Sequence, residues 1–194
     1  MRNIFPIDIL LTMYNTLILP HINYCLLSWG KSSDSIFLLQ TRALRAICDS
    51  KYHAHTEPLF KLCNTLKVND LYEVQLLTFY HKLKHFTISN NFNDFIPVCS
   101  HGSERYPIRN PKLLTPSYNH EYIKLTCRYQ LPSLLNSYLI VHQNENAGHR
   151  ASLSLVIKNV ESIPLSLYKK IIKNNFISEY SNDCNIFNCY ICQR

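Results

Sequence analysis

The stretch LQTRALRAICDSKYHAHTEPLFKLCNTLKVNDLYEVQLLTFY, from Leu39 to Tyr80, decides the fold because it reads as a helix, an extended break and two further helices. The first of these helices starts near Ser35. Its apolar residues recur at the spacing of one helix face: Ile36, Leu39, Ala43, Leu44 and Ile47. Arg42 and Arg45 lie off this stripe, so we expect both guanidinium groups to face outward.

Capping residues predict where the next two helices begin. Thr56 followed by Glu57 and Pro58 indicates a short helix running to Leu66, because a hydroxyl can accept from free backbone N–H groups and proline has no donor to lose. Asn69 is expected to cap the following helix. Acidic residues in its first turn and basic residues near its end match the helix dipole.

The rest of the chain also predicts helices, separated by one proline-rich segment. Ile7 to Ile18 has helical spacing and should stop near Pro20, which begins a second helix running to Trp29 and Gly30. Prolines interrupt every period between Asn90 and Ser117, which indicates an extended connector. Helical character returns from Tyr118 to Tyr138, where Pro132 imposes a kink or a new start, and a last helix should begin near Pro164.

These patterns predict a mainly α protein in three parts. Residues 1–88 form a helical region, residues 89–117 a connector, and residues 118–194 a smaller helical region that ends in a cysteine tail. A hydrophobic share of 46% supports a real core, and only three glycines argue against a sandwich fold rich in glycine turns.

A basic charge balance points to a polyanionic partner. The 194 residues carry a formal charge of +7, and clustered Lys and Arg bind phosphates by releasing condensed counterions. The basic residues are dispersed, so an ordinary solvated surface is an equal alternative. The candidates for nucleic-acid contact are Arg42, Arg45, Lys51, His53 and His55.

Two of these candidates, His53 and His55, flank Ala54 in an extended segment where alternate side chains share a face. Two imidazoles could ligate a metal ion. No carboxylate or thiolate stands nearby at ligand spacing, so helix capping, packing or phosphate contact is favoured over metal binding.

Eight cysteines would suggest disulfides in a secreted chain, but five stand singly in apolar patterns and are expected to be core thiols: Cys25, Cys48, Cys63, Cys99 and Cys127. The apolar N-terminal stretch contains polar residues such as Asp8 and Asn15 and lacks a small-residue cleavage site. It predicts neither a membrane span nor a signal peptide. We therefore expect an intracellular, reduced protein in the cytoplasm, the nucleus or both, without membrane contact.

The tail offers the strongest metal pattern. Cys184, Cys189 and Cys192 form C-x4-C-x2-C, and the short loop between the last two lets both thiolates reach one tetrahedral ion. The sequence thus suggests a structural zinc, with incidental tail thiols as the alternative. Candidates for a fourth ligand are His149, Cys127, His142 or a residue beyond Arg194.

Patterns of several enzyme classes are absent from the sequence. It contains no G-x-x-x-x-G-K phosphate loop, no glycine-flanked nucleophile and no adjacent aspartates that could hold two magnesium ions. We predict no catalytic residues and expect no polymerase activity from the chain alone.

Several segments together resemble a known family. They are YNTLILPHINYCLLSWG from Tyr14, the Leu39 stretch extended to Lys82, RYQLPSLLN from Arg128, and the cysteine tail. They are similar to the region just downstream of the polymerase core in reverse transcriptases of non-LTR retrotransposons of the jockey-like and LINE type. The family's polymerase aspartates and endonuclease have no counterpart in these residues.

The resemblance implies a C-terminal fragment of an RNA-directed DNA polymerase. Residues 1–88 would be a thumb-like helical bundle that holds a template–primer duplex, and the tail would be a nucleic-acid-binding knuckle. RNA, DNA and the upstream polymerase domain are the implied partners, and magnesium would act only in an intact polymerase. The alternatives are a stand-alone zinc-dependent nucleic-acid-binding or adaptor protein derived from such an element, and an inert relic.

Overall fold

A computed structural model describes residues 5–85, 95–98, 113–141 and 163–183, together with Ile88, Phe92, Ile157 and Val160. The prediction of a mainly helical protein is confirmed. Within the described residues there is no β-strand, and the four longest helices are each 15 to 19 residues long. The predicted connector at residues 89–117 falls largely outside these ranges.

The helices have the following bounds. The first half contains α1 (Ile7–Met13), α2 (Leu19–Asn23), α3 (Leu26–Trp29), α4 (Asp34–Cys48), α5 (Glu57–Leu62) and α6 (Val68–Lys84). The second half contains α7 (Cys127–Val141) and α8 (Leu165–Asp183). Short 3-10 turns cover Gly30–Ser32 and Glu121–Leu125.

Pro20 is an early residue of a second helix, as predicted, but the helical run before it is not broken. A π-helical turn, Tyr14–Ile18, joins α1 directly to α2, and Pro20 lies in the first turn of α2, which ends at Asn23 and not near Trp29. Proline lacks an N–H and its ring crowds the carbonyl four residues earlier, and a locally wider turn accommodates both effects. The break comes later, at Cys25, whose left-handed φ of 50° separates α2 from α3.

The chain divides into two compact units. The first comprises residues 1–73 and 173–194, and the second comprises residues 74–172. The three-part division drawn from the sequence stays a prediction.

A buried glutamine organises the first unit. Gln40 on α4 is only 1% exposed, and its amide nitrogen donates to the Tyr14 hydroxyl oxygen at 2.9 Å and to the Leu66 carbonyl at 2.8 Å. Its amide oxygen accepts from the backbone N–H of Val68 at 3.1 Å. Burying an amide is costly unless its donors and acceptors are matched, and these three bonds match them.

The buried face of α4 therefore differs from the predicted stripe. Leu39 was expected in the core, but its side chain is 57% exposed. The residues that are buried along α4 are Gln40, Thr41, Leu44, Ile47 and Cys48. Hydrophobic periodicity misplaced the face because it counts a glutamine as polar, whatever partners the folded chain supplies.

The predicted caps of α5 and α6 are wrong in detail. Thr56 holds the position before α5, but its hydroxyl makes no capping bond. The α6 helix begins at Val68, so Asn69 lies inside it, and the Asn69 Oδ1 accepts from the Ser33 hydroxyl at 2.8 Å. The Val68 N–H, one of the donors left open at a helix start, is satisfied by Gln40 instead.

The expectation of core thiols holds for some cysteines and fails for another. Cys48 and Cys63 are buried, Cys127 is half-buried and Cys25 is exposed. The break between α2 and α3 turns Cys25 outward, which the apolar pattern around it did not reveal. Cys99 lies outside the described residues.

The second unit contains a polar contact of its own within an apolar core. His81 and His85 of α6 stack with ring centroids 4.2 Å apart, and their Nε2 atoms lie 2.7 Å and 3.1 Å from the carbonyl oxygens of Ile163 and Val160. The Tyr168 ring lies 4.7 Å from the His81 ring. The buried apolar residues of this unit include Leu77, Leu83, Leu131, Leu135, Tyr168 and Ile172.

We predict that Gln40→Ala lowers the free energy of unfolding by about 2–4 kcal/mol, because it removes three hydrogen bonds and leaves buried partners to find replacements. The neighbouring Leu39→Ala, on an exposed side chain, should change it by less than about 0.5 kcal/mol. Urea unfolding followed by circular dichroism measures both. A larger effect for Leu39→Ala would contradict the placement of Gln40 in the core.

Candidate nucleic-acid interface

The turn after α4 is built on Arg45. The Arg45 carbonyl accepts from the Ser50 N–H at 3.0 Å, beside Asp49, which ends the helix in a left-handed conformation. The Arg45 guanidinium reaches across the turn, and its Nη2 donates to the Ala54 carbonyl at 3.1 Å. The Ala54 N–H in turn donates to the Lys51 carbonyl at 3.0 Å. One residue thus fixes both ends of the turn.

The turn presents a set of exposed side chains. Tyr52 is 70% exposed, and its ring meets the His53 ring edge to face at 5.2 Å. The Arg45 guanidinium lies 5.7 Å from the centre of the Tyr52 ring, within range of a cation–π contact. We call the exposed side chains of this region the Lys51 surface: Arg42, Lys51, Tyr52, His53 and His55.

The candidates predicted from sequence divide into two kinds. Arg42, Lys51, His53 and His55 are exposed, whereas Arg45 is half-buried and occupied by the turn. The expectation that Arg45 faces outward is wrong, because its guanidinium lies over the turn and donates to the Ala54 carbonyl. Arg42 precedes Arg45 by three positions, which makes the two side chains neighbours on the surface of α4.

Sequence reasoning left Tyr52 out of the candidate set, although the alternation Lys51–Tyr52–His53 signalled it. Aromatic residues within helices usually pack in the core, but Tyr52 lies in a turn. The turn has no helical face to bury, so the Tyr52 ring stays exposed.

The chemistry of the Lys51 surface suits nucleic acid. Arg42 and Lys51 can each pair with a phosphate oxygen. An unpaired base can stack on the Tyr52 or His53 ring, an interaction that every base can make. Asp49 is the one acidic residue in the sequence between Arg42 and Glu57, and Glu57 is already paired with Lys67 at 2.9 Å. The local potential is therefore positive.

The predicted zinc ligands Cys184, Cys189 and Cys192 lie outside the described residues, as do His142 and His149. Burial raises the pKa of the Cys127 thiol, which opposes the deprotonation that zinc ligation requires. In the described part of the chain, no three His, Cys, Asp or Glu side chains are grouped to hold a metal ion. This applies to His53 and His55 too.

None of the described helices has an apolar stretch long enough to cross a bilayer.

Comparison with known proteins gives no match: no family model, no curated protein and no solved structure is significantly similar to this chain.

We predict that Arg45→Ala destabilises the protein by about 1–2 kcal/mol, because it removes a charged hydrogen bond and a cation–π contact. Arg42→Ala removes the same charge from an exposed position and should cost less than about 0.5 kcal/mol. Urea titrations of both variants test this. Equal costs would show that Arg45 does not hold the turn.

Proposed function

We propose that this chain is the C-terminal, post-polymerase part of a non-LTR retrotransposon reverse transcriptase, and that it binds RNA and DNA. The observation that carries the binding proposal is the turn held by Arg45, which presents Lys51 beside exposed aromatic rings. Phosphate pairing and base stacking then act at one place, as sequence-tolerant nucleic-acid binding requires.

The ancestry in this proposal rests on the sequence segments that resemble the family, from Tyr14 to Gly30 and from Leu39 to Lys82. Under the proposal, the helical region of residues 1–88 is the thumb-like bundle beside a template–primer duplex. An upstream polymerase domain is its natural partner, in the cytoplasm or nucleus. Magnesium chemistry belongs to that upstream domain, since these residues include no adjacent aspartates.

A second candidate is a stand-alone zinc-dependent nucleic-acid-binding or adaptor protein derived from such an element. The spacing of Cys184, Cys189 and Cys192 favours it, because three thiolates are a donor set that structural zinc accepts. An inert relic is the remaining alternative, and it predicts no binding at all.

We predict that Arg42→Ala combined with Lys51→Ala reduces the slope of log affinity against log salt by about two units for a short RNA–DNA duplex, because each residue pairs with one phosphate. Arg45 is left in place so that the turn stays folded. Fluorescence anisotropy at several salt concentrations measures the slope.

The matched control for this experiment is Lys169→Ala combined with Lys170→Ala, which removes the same charge from exposed positions on α8. Its slope should stay close to that of the parent protein. If both double variants lose affinity equally, the chain binds through its overall charge, and the assignment to the Lys51 surface fails.

We predict about one zinc ion per chain after purification under reducing conditions, as one tetrahedral tail site requires. Cys189→Ser should abolish it, whereas Cys25→Ser, at an exposed cysteine outside the tail, should retain it. Elemental analysis decides the matter. Metal-free protein from zinc-supplemented medium would leave the tail cysteines as incidental thiols.

A further inference from the structure

Two buried cysteines meet where two helices end. The Sγ atoms of Cys48 and Cys63 lie 3.3 Å apart, although the residues are 15 positions apart in the chain. Cys48 is the last residue of α4, and Cys63 directly follows α5. Both side chains are buried.

The backbone directs both sulfurs to one point. Asp49 and Asn64, the residues that follow the two cysteines, have left-handed φ angles of 54° and 50°. A left-handed residue at a helix end turns the chain sharply away from the helix axis. Both helices therefore end at the sulfur contact, and the chain turns away from it after each cysteine.

We propose that Cys48 and Cys63 form a reversible oxidation site, at which hydrogen peroxide converts the two thiols into an intramolecular disulfide. The sulfurs have to approach by roughly 1.2 Å to reach bonding distance. Rotation of the side chains and a small shift at the helix ends supply this movement, since the residue after each cysteine lies in a turn.

The reaction balances in two steps. One of the two cysteines, as its thiolate, attacks one peroxide oxygen, the O–O bond breaks, and the departing hydroxide takes a proton and leaves as water. The sulfur of the other cysteine then attacks the resulting sulfenic acid, the S–O bond breaks, and a second water departs with the proton of the second thiol. Two thiols are oxidised and one peroxide is reduced to two waters.

The contact between the sulfurs also affects their ionisation. The hydrogen bond to Cys48 and, next, burial raise the pKa of Cys63. Either sulfur can donate the hydrogen bond between them, so either cysteine can react first. Burial of both thiols limits the access of peroxide, so it slows the first step and protects the reduced pair from nonspecific oxidation. A disulfide of this kind, in a reducing compartment, is transient and responds to oxidants.

The disulfide would enclose residues 49–62, the segment that carries Lys51, Tyr52 and His53. It would join the two ends of that segment, next to the turn held by Arg45. Its formation does not require the proposed nucleic-acid function, so the two proposals succeed or fail separately.

The test is peptide mapping of the whole folded chain after exposure to hydrogen peroxide. Trypsin releases Cys48 in the peptide of residues 46–51 and Cys63 in the peptide of residues 62–67, each with a single cysteine. Free thiols are blocked with N-ethylmaleimide before digestion. We expect the linked pair of these two peptides to exceed any other link between separate tryptic peptides by about tenfold, because sulfurs held in contact react as an intramolecular pair. Dithiothreitol should restore both thiols.

Two controls make the result specific. In Cys25→Ser, which lacks an exposed thiol, the yield of the linked pair should be unchanged. In urea-unfolded protein the preference for this pair should disappear, because the fold creates the contact. Recovery of Cys48 and Cys63 as blocked thiols while Cys25 is oxidised would overturn the proposal. Their separate conversion to sulfinic acids would also overturn it.

Discussion

The hydrogen bonds of Gln40 are the constraint on which the first unit depends. A single side chain on α4 contacts the π-helical turn through Tyr14, the segment before α6 through Leu66, and the first N–H of α6 at Val68. These partners lie 26 to 28 positions away in the chain. A buried amide is stable only when all three are in place, so it specifies one arrangement of the helices where an apolar residue would tolerate several.

Gln40 also contacts two local irregularities of the chain. Tyr14, the first residue of the π-helical turn, is buried, and its hydroxyl oxygen accepts from the Gln40 amide. Burial raises the pKa of that hydroxyl, and the hydrogen bond from Gln40 opposes the rise. At the start of α6, Gln40 replaces the local cap that most helices draw from their own sequence. Asn69 is thereby left to bind Ser33, which joins α6 to the beginning of α4.

The sequence predicted the existence of helices far better than their faces. The starts of α4, α6 and α8 lie close to the predicted positions, because acidic residues and prolines at helix starts act locally. The buried face of α4 and the cap of α6 depend on Gln40, whose partners are distant, and no local pattern carries that information. The orientation of Arg45 was predicted wrongly for a related reason. Its partner, the Ala54 carbonyl, comes within reach only after the turn has formed.

The Cys48 and Cys63 contact was beyond sequence reasoning as well. Each cysteine stands singly in an apolar pattern, and burial was predicted for both, but their proximity depends on two left-handed residues that are neither glycines nor a recognised motif. Asp and Asn adopt this conformation more readily than most residues, so the sequence permitted the geometry without identifying it. The sequence did predict part of the Lys51 surface, because the charge and the exposure of a turn follow from its composition.

Arg42 is exposed whereas Arg45 is bonded within the turn, and this difference limits the strength of any nucleic-acid contact. The Arg45 guanidinium donates to the Ala54 carbonyl inside the turn. Arg42 and Lys51 are therefore the exposed permanent cations of the Lys51 surface. Two phosphate contacts release few counterions, which corresponds to weak binding that is modestly sensitive to salt. Stacking on Tyr52 or His53 adds roughly 1–3 kcal/mol per base. Under the proposed function, two phosphate contacts are too few for this surface to bind a nucleic acid tightly by itself. The surface would orient a nucleic acid that other parts of the intact element also bind.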